Sequence, residues 1–245
     1  MDQGAVNAKG QTLEAFLQSY DPAAYPRPSV TVDMVVFTLL EGRPLRLGVL
    51  LIRRGDHPYI NMWAVPGGFI NMDEHLIDAA YRELYEETGV TDVRLFELAP
   101  FDAPDRDPRT RVISFGYYAL VPMGSLNPAA GDDAADARLF AVEVARERAG
   151  DGVRTLLSLN SGETHIQALL RTGPVRRGSA VEQRTRIVDP GELAGDHALI
   201  LERALHRLRT LPPRQAVAPM LPPVFSRRMV REACRAVYGT GTMEE

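Results

Sequence analysis

The chain has 245 residues, 45% of them hydrophobic and 24% charged, with a formal net charge of −4. That length holds one sizeable domain with an appendage, or two small domains, and the composition is ordinary for a soluble globular protein. No apolar run approaches the roughly 18 residues of a membrane span, and the negative total offers no global attraction to nucleic acid. The opening MDQGAVNAKGQTLEAF lacks the basic start and apolar stretch of a signal peptide, so a cytoplasmic protein without a membrane partner is expected. The single cysteine, Cys234, cannot form an internal disulfide. It lies in RRMVREACRAVYG, where a small packing residue is expected.

In chain order, residues 1–25 read as a loosely attached lead-in ending in the turn AAYPRPS. TVDMVVFTLL (31–40) and LRLGVLLIRR (45–54) are β-branched, apolar strand-like runs joined by EGRP. WAVPGGF is a short strand broken by Pro66, Gly67 and Gly68. Residues 74–88 predict a helix, with Asn71 or Asp73 as N-cap and Gly89 as the C-terminal stop. Strands are expected at 93–101, 111–122 and 138–145, with NPAAGDDAADA (127–137) as a loop. Three further β-like runs fall at 153–160, 164–171 and 180–188. GDHALILERALHRLR (195–209) predicts an amphipathic helix, and a short helix follows at about 226–238.

The helix at 74–88 carries the chemistry. At about 100° per residue, Leu76, Ile77, Ala80 and Leu84 form an apolar stripe from about 20° to 120°, taking Glu83 as zero. Glu86 falls at about −60° and Glu87 at about +40°, inside that stripe. Three carboxylates on one face repel, and a half-buried one is costly unless paired. A solvated acidic face explains Glu86 but explains Glu87 poorly. A hard divalent cation, Mg²⁺ or Mn²⁺, relieves the repulsion through its preference for oxygen ligands. Arg82 and Glu74 are either surface charges or braces for the cluster. Gly67 and Gly68 let the backbone come close to a ligand.

From Gly68 to Val90 the chain reads G-x5-E-x7-R-E-U-x-E-E-x-G-U, where U is a bulky aliphatic residue. Seven fixed identities and two aliphatic sites would arise by chance about once in ten million such chains. The stretch resembles the box of the Nudix hydrolases, and its flanks extend the likeness over about 30–145. The resemblance implies an α+β fold, a Nudix α/β/α sandwich with a mixed β-sheet. It implies a Nudix domain at 26–190, followed by a small C-terminal helical, partly winged-helix-like appendage at 191–245. It further implies metal-dependent hydrolysis of the pyrophosphate bond in a nucleoside diphosphate linked to another moiety, with ADP-ribose or a similar compound preferred. Glu83, Glu86 and Glu87 match metal ligands, and Glu86, Glu83, Arg82 and Glu74 the catalytic set. Gly67 and Gly68 would approach substrate. The family's general base often lies on a later loop, which makes Asp132, Asp133 and Asp136 candidates. A homodimer is expected from the resemblance alone.

DAPDRDPRTRVISFGYYALVP resembles ADP-ribose-type Nudix proteins and a related group of regulators of NAD metabolism. Arg106, Arg109 and Arg111 there either bind substrate oxygens or pair with Asp105 and Asp107. His197 is expected to pack or hydrogen-bond at its helix start. MLPPVFSRRMVREACRAVYG resembles the start of the regulators' winged helix, so the alternative is a ligand-responsive regulator with a truncated DNA-binding region. The chain ends before a basic segment that would complete that module, and it keeps the whole box. Nucleic acid is therefore a less favoured partner than a small molecule, despite Arg227, Arg228, Arg231 and Arg235.

Overall fold

The computed structural model describes residues 5–91, 93–126 and 134–239. Helix α1 (Leu13–Ser19) precedes strands β1 (Ser29–Leu40), β2 (Arg46–Arg54), β3 (Trp63–Ala64) and β4 (Gly67–Phe69). Helix α2 (Leu76–Thr88) leads into β5 (Leu95–Phe101), β6 (Val112–Leu120), β7 (Ala134–Ala149), β8 (Gly152–Ser161), β9 (Thr164–Arg177) and β10 (Ala180–Asp189). Helices α3 (His197–Thr210), α4 (Pro213–Val217) and α5 (Arg227–Tyr238) follow. The sheet runs β10-β9-β8-β7-β2-β1-β6-β5, with β3 on β2 and β4 on β1. β1 and β6 pair in parallel and β1 and β2 antiparallel, which makes the sheet mixed.

The continuous apolar run of β1 is what a strand covered on both faces requires. Its side chains alternate between two cores. Val35, Phe37 and Leu39 join a cluster with Leu201, Leu205 and Leu208 of α3, Val217 of α4 and Val237 of α5. Val32, Met34 and Val36 join another with Ala79, Ala80 and Leu84 of α2. Helices thus cover both faces of the sheet, and the C-terminal helices share the larger core. Cys234 packs there, 5% exposed. Helix α1 buries none of its residues.

β7 and α2 begin elsewhere than the sequence reading places them, and α1 and α4 fall where no helix is expected. β7 begins at Ala134, because residues 134–141 pair with β2 and draw the presumed loop into the sheet. Its second half, Val142–Ala149, pairs with β8 and opens an antiparallel extension through β9 and β10. Helix α2 starts at Leu76 after His75, which makes no side-chain cap. Asn71 and Asp73 do not cap it. Gly89 does end it, in the left-handed region at φ 66° that a side chain would disfavour.

Because α3 is buried in the larger core, Leu201→Ala is expected to cost about 2–5 kcal/mol. Urea unfolding followed by fluorescence and circular dichroism should show one shifted transition by both probes. Separate transitions would mean that the C-terminal helices fold on their own.

Candidate active site

Helix α2 faces the turn between β3 and α2 across a cleft of about 1040 Å³. Ala79, Ala80, Leu84 and Thr88 are buried, while Ile77 is exposed. The buried arc is wider than the predicted stripe, from Ala79 at about −40° to Thr88 at about +140°, and Ile77 in the first turn is exposed although it falls within that arc. Centred near +50° on the same angular scale, it contains Glu83 as well as Glu87, with Glu86 at its rim. Side-chain exposure agrees, at 14% for Glu83 against 54% for Glu86.

Arg82 organises the outer part. Its Nε and Nη2 donate to the two oxygens of Glu74 at 3.1 and 2.6 Å, and Nη1 donates to Glu83 at 2.7 Å and Glu86 at 3.0 Å. Nη2 also donates to the Phe69 carbonyl at 3.1 Å. Glu74 in turn accepts from the Asn71 N–H at 2.6 Å. The hydrogen bond from Arg82, then that from Asn71, holds the Glu74 carboxyl down at about 2. One guanidinium fork thus ties the turn to the helix.

The inner part lacks such compensation. Glu87 accepts one hydrogen bond, from the Gly67 N–H at 2.7 Å. Burial, opposed by that bond and reinforced by the charges of Glu83 and Asp33, pushes its carboxyl up to about 8. Burial also raises Glu83, against the pull of Arg82. Gly67 and Gly68 have no positive φ; what they contribute is a missing side chain. A Cβ at Gly68 would overlap the Glu83 carboxylate, and one at Gly67 would meet the Val32 carbonyl and, at 2.7 Å, Asp33 Oδ1. Among the described residues no three metal-binding side chains are already gathered as a set. Glu83 and Glu87 are the inner pair, and Glu86 is held outward by Arg82.

A second polar group underlies the cleft. Asp33, 6% exposed on β1, accepts from Ser114 and from Arg106 Nη2 at 3.2 Å. Arg106 also makes a bidentate pair with Asp196, at 2.9 and 2.8 Å. Next to Asp196, His197 Nδ1 accepts the Val65 N–H at 3.0 Å, so the proton of the neutral ring sits on Nε2. Burial lowers the His197 pKa and favours that neutral form. The sequence reading missed Asp33 and Asp196. A lone acid within TVDMVVFTLL was the visible signal for Asp33, whereas Asp196 looked like an ordinary helix-start residue.

The three arginines read as substrate-binding stand apart. Arg106 lies in the buried network just described. Arg109 pairs with Asp107 at 2.8 Å and sits over the Phe69 ring, 5.3 Å from its centroid. Arg111 donates to the Ala103 and Val112 carbonyls. Arg106 and Arg109 line the cleft, as do Gly67 and Gly68. Asp136 lies on β7 opposite Arg53 and pairs with Arg138. Asp132 and Asp133 lie outside the described residues.

A mixed sheet between helices, with a carboxylate-bearing helix closing on a diglycine turn, defines the class. The sequence matches the NUDIX domain over residues 28–158, more than half of the chain, and the protein belongs to that family. The structure resembles that of a MutT/nudix family protein from Enterococcus faecalis, 30% identical, with a TM-score of 0.70 over 94% of this chain and 82% of that one. An ADPR responsive transcriptional repressor NtrR of Acinetobacter baylyi is 38% identical over 110 residues, 44% of this chain and 43% of the relative. An ADP-ribose pyrophosphatase of Methanocaldococcus jannaschii is 37% identical over 116 residues, 47% of this chain and 63% of the relative. The matched stretches span less than two thirds of either curated relative. Among the described residues, no helix is long and apolar enough to cross a membrane.

The raised Glu87 pKa has a definite sign. Its ordinary value is 4.5, so the fold favours the protonated form between there and about 8. The stability this group contributes is complete below the lower value and is lost as pH rises through the upper one. Metal-free protein should lose thermal stability progressively between about pH 4.5 and pH 8, and Glu87→Gln should flatten that decline. Scanning calorimetry in chelator checks it; identical profiles for the two proteins would contradict the burial. Gly68→Ala should separately disturb Glu83, lowering activity at least about 10-fold while the protein remains folded.

Proposed function

We propose that the protein is a metal-dependent pyrophosphohydrolase acting on a nucleoside diphosphate linked to a further group, with ADP-ribose or a close analogue preferred. The observation that carries this reading is the pair Glu83 and Glu87, set inside the packing face of α2 without enough positive charge to match them. The donor set fits Mg²⁺ or Mn²⁺. It offers oxygen ligands only, and Mg²⁺ is commonly held by one or two carboxylates with water and substrate phosphate completing its shell. Bound there, the cation would neutralise pyrophosphate charge and acidify water.

The chain's own residues then have separable tasks. Glu83 and Glu87 would hold the cation. The Gly67 N–H orients Glu87, and the Arg82–Glu74 pair fixes the turn against the helix. In this reading Glu86, at the solvent-facing rim, accepts a proton from the attacking water. Water adds at one phosphorus, the bridging P–O bond breaks, and the oxygen of the leaving phosphate keeps the electron pair. For ADP-ribose the products are AMP and ribose 5-phosphate. Arg109 over Phe69 forms part of the wall that the nucleoside or sugar would meet. The likeness to a named ADP-ribose pyrophosphatase supports the substrate choice.

A second reading is a regulator whose domain binds an NAD-related metabolite. It is favoured by the likeness to the Acinetobacter repressor and by exposed Arg227, Arg228, Arg231 and Arg235 on α5. Salt-dependent binding to a promoter fragment would support it. A homodimer belongs to this proposal on family grounds.

With Mg²⁺ and a panel of nucleoside diphosphate derivatives, the protein should release phosphatase-sensitive products. Glu87→Gln should lower kcat about 10³-fold with an intact fold. Lack of turnover with every substrate and both metals would refute the enzymatic reading.

A further inference from the structure

Beside the cleft lies a second cavity of about 730 Å³, walled by the β9–β10 hairpin and the start of α3. The two share Tyr59, Arg106, Gly195 and Asp196, so they adjoin. Arg171, Arg184 and Arg186 line the second one. Strand register adds an unusual feature. Arg154, Arg171 and Arg186 stand directly opposite one another on three adjacent strands, one face carrying a row of like charge. Like charges directly opposite across a sheet destabilise it.

Acidic partners balance this row only in part. Arg106 is paired with Asp196, Arg171 with Asp151 at 2.9 Å, and Arg154 with exposed Glu147 at 3.7 Å. Arg184 and Arg186 form no ion pair among the described residues. The remaining acid on the cavity wall, Asp105, is exposed and forms no ion pair either. Opposite Arg184 stands Gly173, where a Cβ would meet nothing within 4 Å and the backbone has no positive φ. Neither packing nor backbone conformation requires glycine there; its effect is to leave the floor beside Arg184 bare. Edge-strand charges can also serve to deter sheet-to-sheet aggregation. That role needs neither a concave wall nor arginine aligned across three strands.

We propose that this cavity is a second anion-binding site, adjoining the cleft, that takes a phosphate-class group through Arg184 and Arg186 with Arg171 behind them. Arginine's fork suits phosphate oxygens, and the anion relieves the cross-strand repulsion. A concave wall favours a small ligand over a nucleic acid, which would need an extended basic track. The group arrives either free or on the far end of a substrate whose diphosphate lies in the cleft. The second possibility rests on the hydrolase reading; the site itself does not.

Calorimetric titration of the protein with inorganic pyrophosphate, in chelator and low salt, tests it. Binding by the parent protein that weakens at least about 10-fold in Arg184→Ala/Arg186→Ala, and again in Gly173→Asp, is the expected result. No binding, or equal binding by all three, overturns the proposal, and so does loss of binding to a random DNA duplex in the double variant without loss of pyrophosphate binding. A kinetic arm compares ADP-ribose with ADP-ribose bearing an extra phosphate on the adenosine ribose. A preference for the phosphorylated compound that the double variant loses, with ADP-ribose hydrolysis unchanged, supports delivery on the substrate. Modulation by free pyrophosphate that the double variant loses supports a free ligand. Absence of all turnover would refute the hydrolase reading while the titration still decides the site.

Discussion

The structure depends on two carboxylates lying where a helix would normally place hydrocarbon. Glu83 and Glu87 occupy the middle of the face that α2 turns toward the sheet, flanked by Ala79, Ala80, Leu84 and Thr88. Burial raises both pKa values; the charge of Glu83 raises Glu87 further, and those of Glu86 and Glu74 raise Glu83. Such an arrangement survives because the rest of the core is large and because the turn opposite has been stripped of side chains. Gly67 and Gly68 bring backbone to the carboxylates at a distance that no Cβ would permit.

Around that pair, the protein uses cations of its own only at the rim. Arg82 binds Glu74, Glu83 and Glu86 together, drawing charge toward solvent and leaving Glu87 with one backbone donor. The asymmetry divides one helix: the inner carboxylates lack a matching positive charge, and the outer one stays open to water. A fully neutralised cluster would be more stable and chemically idle, which is the usual opposition between stability and function at a site.

Beneath the cleft the sheet is braced from the far side. Asp33 on β1, Arg106 on the β5–β6 loop and Asp196 before α3 form a buried chain of charge-assisted hydrogen bonds, and His197 holds the Val65 amide. The C-terminal helices therefore belong mechanically to the site, although none of their residues lies on α2 or the diglycine turn. The β8–β10 extension enters the same neighbourhood through the cavity it shares with α3.

Periodicity and spacing were enough to read the main strands, α2, α3 and α5, and the acidic cluster with its glycine turn. Those features are local: residues separated by one helical turn share a face wherever the helix is packed, and Gly89 ends a helix by its own backbone freedom. The sequence also carried the Nudix box without a gap, so the family was legible before any coordinate. Local pattern could not say how wide an arc of α2 is covered, and so left Glu83 outside the predicted stripe, nor that Ile77 in the first turn stays exposed. Nor could it show that residues 134–137 would be drawn into β7 by pairing with β2, or that Arg106, 73 residues from Asp33 and 90 from Asp196, would be consumed by both. Those outcomes depend on contacts between segments distant in the chain, and only tertiary packing decides which partner a buried charge finds.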